Sequence, residues 1–388
     1  MYFFNKLKSN KGLSVISLCL IFGISLTISA CDDPSEGKPA IWILTDFTGM
    51  KKDGIEFRHQ NDKQSQLNTV SDPDDYVAMV MYLMNANKFH TAQIVLGSDG
   101  ADKSKGTNPL TEFQNRILTA YEHDISFWNS NKNTKGFPSA QEISAVTKLT
   151  TLQGQKFDTN ENYTDFKSLA PTVKSLVKEL EKNKYSAENP LYVLVWGPMT
   201  EAAMAVKHLQ AKGNTDALER LFVVSHWTTS FLRHNNPSKC TALEEDRVKY
   251  GVANCNEDCE ACEFLHKEAQ NAQAKFRFVD VGSVGQGGIV GGSRPFFGKK
   301  GIQGEHAQAF LTSEMGKLFI ESNFMYNRPD GSDCATFYTI LGDYGLTLND
   351  FYTNGVITEE QERYAETAFK NNANKMMQEL LALSQVVQ

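Results

Sequence analysis

The run Leu191-Tyr192-Val193-Leu194-Val195-Trp196 constrains this chain more than any other stretch, because it is apolar at nearly every position. A strand with one wet face alternates apolar and polar residues, whereas one that stays apolar is covered on both faces, as in parallel sheets. Compact apolar runs of the same kind recur at residues 41–45, 91–97, 221–225 and 276–281. Between them lie stretches with helical periodicity at 73–85, 110–123, 165–182, 199–209, 264–274, 305–322, 333–341 and 359–383. Strand alternating with helix predicts an α/β fold: a mostly parallel sheet flanked by helices, Rossmann-like, as a single domain. Hydrophobic residues make up 41% of the chain, enough for a sizeable core. Residues 49–70 read as a long polar loop, and the glycine-rich residues 282–304 as a second loop, placed to move over a site.

In such sheets, ligands bind beyond the carboxyl ends of the strands. Asp46, Ser98-Asp99, Trp196 and Ser225-His226-Trp227 all fall at predicted strand ends. Nearby, Ser71-Asp72-Pro73-Asp74-Asp75 puts three carboxylates at the mouth of the first helix. A helix N-terminus offsets about 0.3–1 kcal/mol for each well-placed charge, and a cap needs only one or two acids. A hard cation would offset far more, since Ca²⁺ and Mg²⁺ take carboxylate oxygens. The cluster is therefore a candidate metal or catalytic site.

The N-terminus reads as a targeting segment. Lys6, Lys8 and Lys11 precede an apolar stretch over residues 13–28, which closes on Ile28-Ser29-Ala30-Cys31. Small residues before a Cys resemble a bacterial lipoprotein signal. On that reading residues 1–30 are the signal peptide, Cys31 is the lipidated (palmitate-bearing) first mature residue, and 31–38 form a linker to a domain over 39–388. The protein would then be lipid-anchored in the cell envelope, on a periplasmic or extracellular face. Cys240, Cys255, Cys259 and Cys262 cluster in a polar segment. In an oxidising compartment four such cysteines read as two disulfides, with zinc as the alternative. The segment at about 234–263 thus reads as a stapled surface insertion apart from the chemistry. A formal net charge of −7 argues against a nucleic-acid partner. A homo-oligomer stays open.

Three segments carry a resemblance. They are Thr45-Asp46 with Asp72-Pro73-Asp74-Asp75; Val195-Trp196-Gly197-Pro198-Met199-Thr200-Glu201-Ala202-Ala203; and Asp330-Gly331-Ser332-Asp333-Cys334-Ala335-Thr336-Phe337-Tyr338. In this order they resemble the inosine–uridine-preferring nucleoside hydrolase superfamily, with its D-x-D-P-G-x-D-D cluster, G-P-L-T-N turn and late Asp. The divergent nucleoside hydrolase-like branch, with T-D…P-D-D and a W-G turn, is the better match. The resemblance implies a Ca²⁺ site that grips a ribose, and hydrolysis of the N-glycosidic bond of a ribonucleoside or related riboside. It implies Asp46, Asp75, Asp333 and the Trp196 carbonyl as metal ligands. Asp46 and Asp72 would serve catalysis, and Asp74, Asp99 and Trp227 the sugar or base.

The chain departs from the family in three places. Residues 47–71 interrupt the first motif, Glu201 replaces the Asn, and Ser332 stands where purine-active members carry a leaving-group His. His226 and His234 are the candidates to replace that His. The alternative function is a sugar- or nucleoside-binding lipoprotein that keeps the fold without turnover.

Overall fold

In the computed structural model, the described residues are 37–47, 73–97, 108–233, 240, 253–321, 323–325, 328–351, 355 and 357–386. Cys31, Asp72, Asp99, His234 and the polar residues 49–70 lie outside them, as does the proposed signal peptide.

The expected strands assemble into one wholly parallel sheet. β1 (Ala40–Thr45), β2 (His90–Leu96), β3 (Thr147–Leu149), β4 (Leu191–Val195), β5 (Leu221–Ser225) and β6 (Arg277–Asp280) lie in the order β3-β2-β1-β4-β5-β6. Both faces are covered. On β1, Ile41 and Ile43 enter one hydrophobic core, and Ala40, Trp42 and Leu44 enter the other. A small antiparallel pair, Asn323–Met325 with Arg328–Pro329, stands apart from the sheet.

The strand order reverses at β1, whose neighbours are β2 on one side and β4 on the other. The crevice beyond such a reversal is where open α/β sheets bind ligands. Register aligns the strand ends: Leu44 pairs with Val195, and Val195 with Ser225. The ladder then steps one residue further, with Trp196 N–H donating to Leu44 O (2.9 Å) and His226 N–H to Val195 O (2.9 Å). Asp46, Trp196 and His226 therefore emerge on one ledge.

The helix Pro73–Leu83 is buried from Asp75 onward rather than on one face, so it is packed all round. Pro73 opens it, and Asp74 and Asp75 occupy its first turn.

Four expectations need correction. The helix expected at 165–182 spans Pro171–Leu180, because Ala170 is extended (ψ 144°), as a residue before proline prefers to be. The helix expected at 305–322 is two helices, Glu305–Phe310 and Glu314–Glu321, with Ser313 in the break.

The glycine-rich stretch is not an open loop. Gly285–Val290 is a buried π-helical turn, followed by the helix Arg294–Phe297. Its glycines allow close contact: a Cβ at Gly285 would collide with the Ser332 carbonyl, and one at Gly288 would lie 2.6 Å from Phe369 Cβ. It is a strut wedged between the Asp333 turn and the C-terminal helix Glu359–Gln385.

The cysteine-rich segment is not confined to the surface. Disulfides join Cys240 to Cys259 and Cys255 to Cys262, so the cysteines form the two expected bridges. Cys240, Cys255 and Cys262 are fully buried and belong to the second core. Among the described residues, no helix is long and apolar enough to cross a membrane.

Candidate functional site

Asp75, in the first turn of the helix Pro73–Leu83, is buried at 1% exposure and accepts a hydrogen bond from the Thr45 hydroxyl at the end of β1. Thr45 Oγ1 also accepts from Phe47 N–H (3.0 Å), so the residues flanking Asp46 are pinned. Asp333 arrives from the other end of the chain on a short 3₁₀ turn, Ser332–Cys334. Ser332 Oγ donates to Asp74 Oδ2 at 3.3 Å and ties that turn to the helix mouth. Carboxylate oxygens of Asp74, Asp75 and Asp333 thus lie within 4.8 Å of one another.

Asp333 is the telling member. It is 1% exposed, and neither carboxylate oxygen meets a hydrogen-bond donor among the described residues. Burial, and then the charges of Asp74, Asp46 and Asp330, push its carboxyl well above the usual range. Asp330, also 1% exposed, is raised by burial and by Asp74. A buried charge without hydrogen bonds is costly unless something pairs with it. An all-oxygen cluster of acids supplies the donors a hard divalent cation takes. The residues present therefore fit a bound cation.

Asp46 stands beside this trio rather than within it. It is 4% exposed and lies over the turn that follows β4, where a Cβ at Gly197 would be 2.5 Å from Asp46 Oδ1. That contact gives a physical reason for glycine in the Trp196-Gly197-Pro198 turn. Asp74, expected at the sugar, falls inside the trio.

The Trp196 carbonyl already has a partner: Asn254 Nδ2 donates to it at 3.0 Å and to the His226 carbonyl at 2.9 Å. One amide thereby bridges the ends of β4 and β5. Asn254 immediately precedes Cys255, so the disulfide-linked segment reaches the ledge. No local sequence pattern marks Asn254, and the sequence reading missed it. The indole of Trp196 points elsewhere, donating to Thr336 Oγ1 at 2.8 Å.

His226 is buried, with Nε2 3.7 Å from Asp333 Oδ1 and 3.0 Å from Gln286 Nε2. Desolvation lowers its pKa to about 4, with Asp74 opposing. Glu201 faces away from the cluster and accepts from Thr150 (2.9 Å) and Thr172 (2.6 Å). Burial raises its pKa to about 7 against those two bonds.

Trp227 holds φ at +49°, in the left-handed region, and lines a cavity of about 1010 Å³. Non-glycine residues rarely adopt that conformation, and such outliers cluster at functional sites. Gln286, against His226, lines the same cavity.

Residues 67–231 match the family model described as "Cellulose-binding Sde182, nucleoside hydrolase-like domain". No curated protein matches the chain. One similar solved structure is a nucleoside hydrolase-related hypothetical protein from Saccharophagus degradans associated with carbohydrate metabolism. It shows 13% identity over 90% of this chain and 72% of that one, with a TM-score of 0.49. An inosine-guanosine nucleoside hydrolase shows 14% identity over 90% of this chain and 98% of that one, at TM-score 0.45. An inosine-uridine preferring nucleoside hydrolase from Bacillus anthracis shows 11% identity over 87% and 99%, at TM-score 0.35. The chain fits the divergent nucleoside hydrolase-like branch, on a family match that runs from the Asp72–Asp75 cluster through the Trp196-Gly197-Pro198 turn to Phe231.

Proposed function

We propose that the chain is an exported, lipid-anchored hydrolase that cleaves the N-glycosidic bond of a ribonucleoside or related riboside. One observation carries this reading. The buried Asp333 carboxylate, without a hydrogen-bond donor among the described residues, lies within 4.8 Å of Asp74 and Asp75 at the reversal of the strand order. Ca²⁺ is the cation that the family resemblance implies. Ca²⁺ accepts about six to eight oxygens in loose geometry, so when bound it would orient sugar hydroxyls and make a water more acidic.

The chain's own groups supply the rest. Asp75, fixed by Thr45, and Asp333 would hold the ion, with the Trp196 carbonyl free to use its second lone pair alongside Asn254. Asp74, tethered by Ser332, borders both ion and sugar. Asp46 would take the water's proton as oxygen bonds to the anomeric carbon and the glycosidic pair leaves with nitrogen. The surrounding carboxylates stabilise the oxocarbenium-like charge that develops. Trp227 would stack on the leaving group from the cavity wall. Roles for Asp72 and Asp99, and lipidation at Cys31 with its place in the cell envelope, rest on the sequence alone.

The printed description of the matched family as cellulose-binding favours a second reading, a sugar-binding protein without turnover. Purified protein with Ca²⁺, offered inosine, uridine and p-nitrophenyl riboside, separates the two. Release of base or nitrophenol supports the hydrolase. Calorimetric binding of ribose with no release on any substrate replaces it with the second reading, and neither binding nor release overturns both.

A further inference from the structure

The cavity beside Trp227 carries a charge pattern that the proposed reaction does not use. Its volume of about 1010 Å³ sits at the upper end of small-molecule pockets, about 300–1,000 Å³, and exceeds the needs of one sugar ring. Arg233, Arg294, Arg328 and Lys370 line it, with Glu366 as the one carboxylate among the described lining residues. Arg233 donates to Glu366 and to Ser283 Oγ (3.2 Å), so that pair neutralises itself. Three cationic side chains remain against that neutral pair, on a chain whose formal net charge is −7.

Their positions are graded. Arg328 is buried at 7% exposure and is close enough to the acidic cluster for its charge to lower the Asp330 pKa. Arg294 and Lys370 are exposed. The cavity also adjoins the acidic site directly, since Gln286 in its wall meets His226, which faces Asp333. A ligand whose sugar sits at the carboxylates would therefore extend past Trp227 into a basic chamber.

We propose that this chamber recognises an oxyanion, a phosphate ester or a carboxylate, carried by the group attached to the bound sugar. The claim rests on the sugar-site reading for its location and on Arg294, Arg328 and Lys370 for its chemistry. Arginine suits both anions, since its planar fork matches carboxylate and phosphate oxygens, and lysine adds a point charge. Clefts lined by one sign of charge also concentrate oppositely charged ligands from solution.

Calorimetry on the full chain with Ca²⁺ tests it, comparing ribose with ribose 5-phosphate and glucose with glucuronate. At low salt, at least one anionic sugar is expected to bind tenfold or more tighter than its neutral partner. A phosphate-only gain assigns a phosphate ester, and a glucuronate-only gain a carboxylate. The advantage should shrink as salt rises and fall below threefold in Arg294→Gln/Lys370→Gln, while the charge-keeping Arg294→Lys/Lys370→Arg retains it. Equal or weaker binding of both anionic sugars overturns the inference, as does a preference that the double Gln variant leaves intact. If neutral ribose fails to bind while the anionic sugars bind with this Arg294- and Lys370-dependence, the inference stands and the riboside reading falls.

Discussion

Replacing Asp333 with Asn should move metal-free stability and metal binding in opposite directions. Asp333 is buried, and its carboxylate lies within 4.8 Å of the equally buried Asp75. Two unit charges at 4.8 Å repel by about 3 kcal/mol at an effective dielectric of ~20. Asp74 is partly exposed, so solvent screens its share and it is left out of the sum. The Asn amide removes the charge at constant shape and brings two donors to neighbouring carboxylates. The metal-free variant should therefore gain about 3 kcal/mol at neutral pH. At ~2 °C per kcal/mol for a large domain, its Tm should rise by about 6 °C after chelation.

The wild type should respond to added Ca²⁺ with a concentration-dependent rise, about 2.7 kcal/mol at one hundred times Kd. The variant should show none of that rise. Differential scanning fluorimetry with chelator and with a Ca²⁺ series reads both quantities. A variant less stable than wild type without metal would refute the argument, because Asp333 would then be held by hydrogen bonds rather than strained by charge. A retained Ca²⁺ shift would place the ion elsewhere.

Two further outcomes follow from other parts of the molecule. Glu201 ionises near 4.5 when unfolded and near 7 when buried, so its contribution is destabilising. The destabilisation is absent below pH 4.5, grows as pH rises and is complete near pH 7, reaching about 3 kcal/mol at 1.36 kcal/mol per unit. Glu201→Gln should flatten the fall of Tm across that window, and an unchanged slope would contradict the assignment. Asn254→Ala leaves the Trp196 and His226 carbonyls without that donor and should lower stability by about 1–3 kcal/mol in urea titration. Reductant should then cost the variant less than it costs the wild type, since the disulfides would no longer hold that amide in place. Equal losses would separate Asn254 from the staples.

The parts of the fold that repeat were readable. β4 and β5 are apolar along their length because both faces are covered, and that alone implied a parallel sheet. β3 was missed because Thr147–Leu149 is only three residues long, with an exposed lysine. The glycines after Asp280 suggested a loop because glycine disfavours helices in isolation. Here close packing against Ser332 and Phe369 outweighs that preference.

The site was legible where chemistry is concentrated in short motifs. Asp74, Asp75 and Asp333 do converge, and Trp227 does line the adjoining cavity. What stayed hidden depends on tertiary reach. Asp46 is set beside the trio by its contact with Gly197, and Asn254 comes to the strand ends from a segment that looked peripheral. The basic cavity gathers arginines and a lysine from four separate stretches, so no local run of charge announces it.

The backbone at Trp227 has one more consequence. At φ +49° the fold would be better served by glycine, which occupies that region at no steric penalty, while a bulky side chain there costs about 1–3 kcal/mol. The chain therefore spends stability at the one strand-end position where a large aromatic faces the cavity. Trp227→Gly should give a protein that melts higher and handles its ligand worse. Tolerance of that strain is a mark left by the ligand on the scaffold, and it can be read without the ligand present.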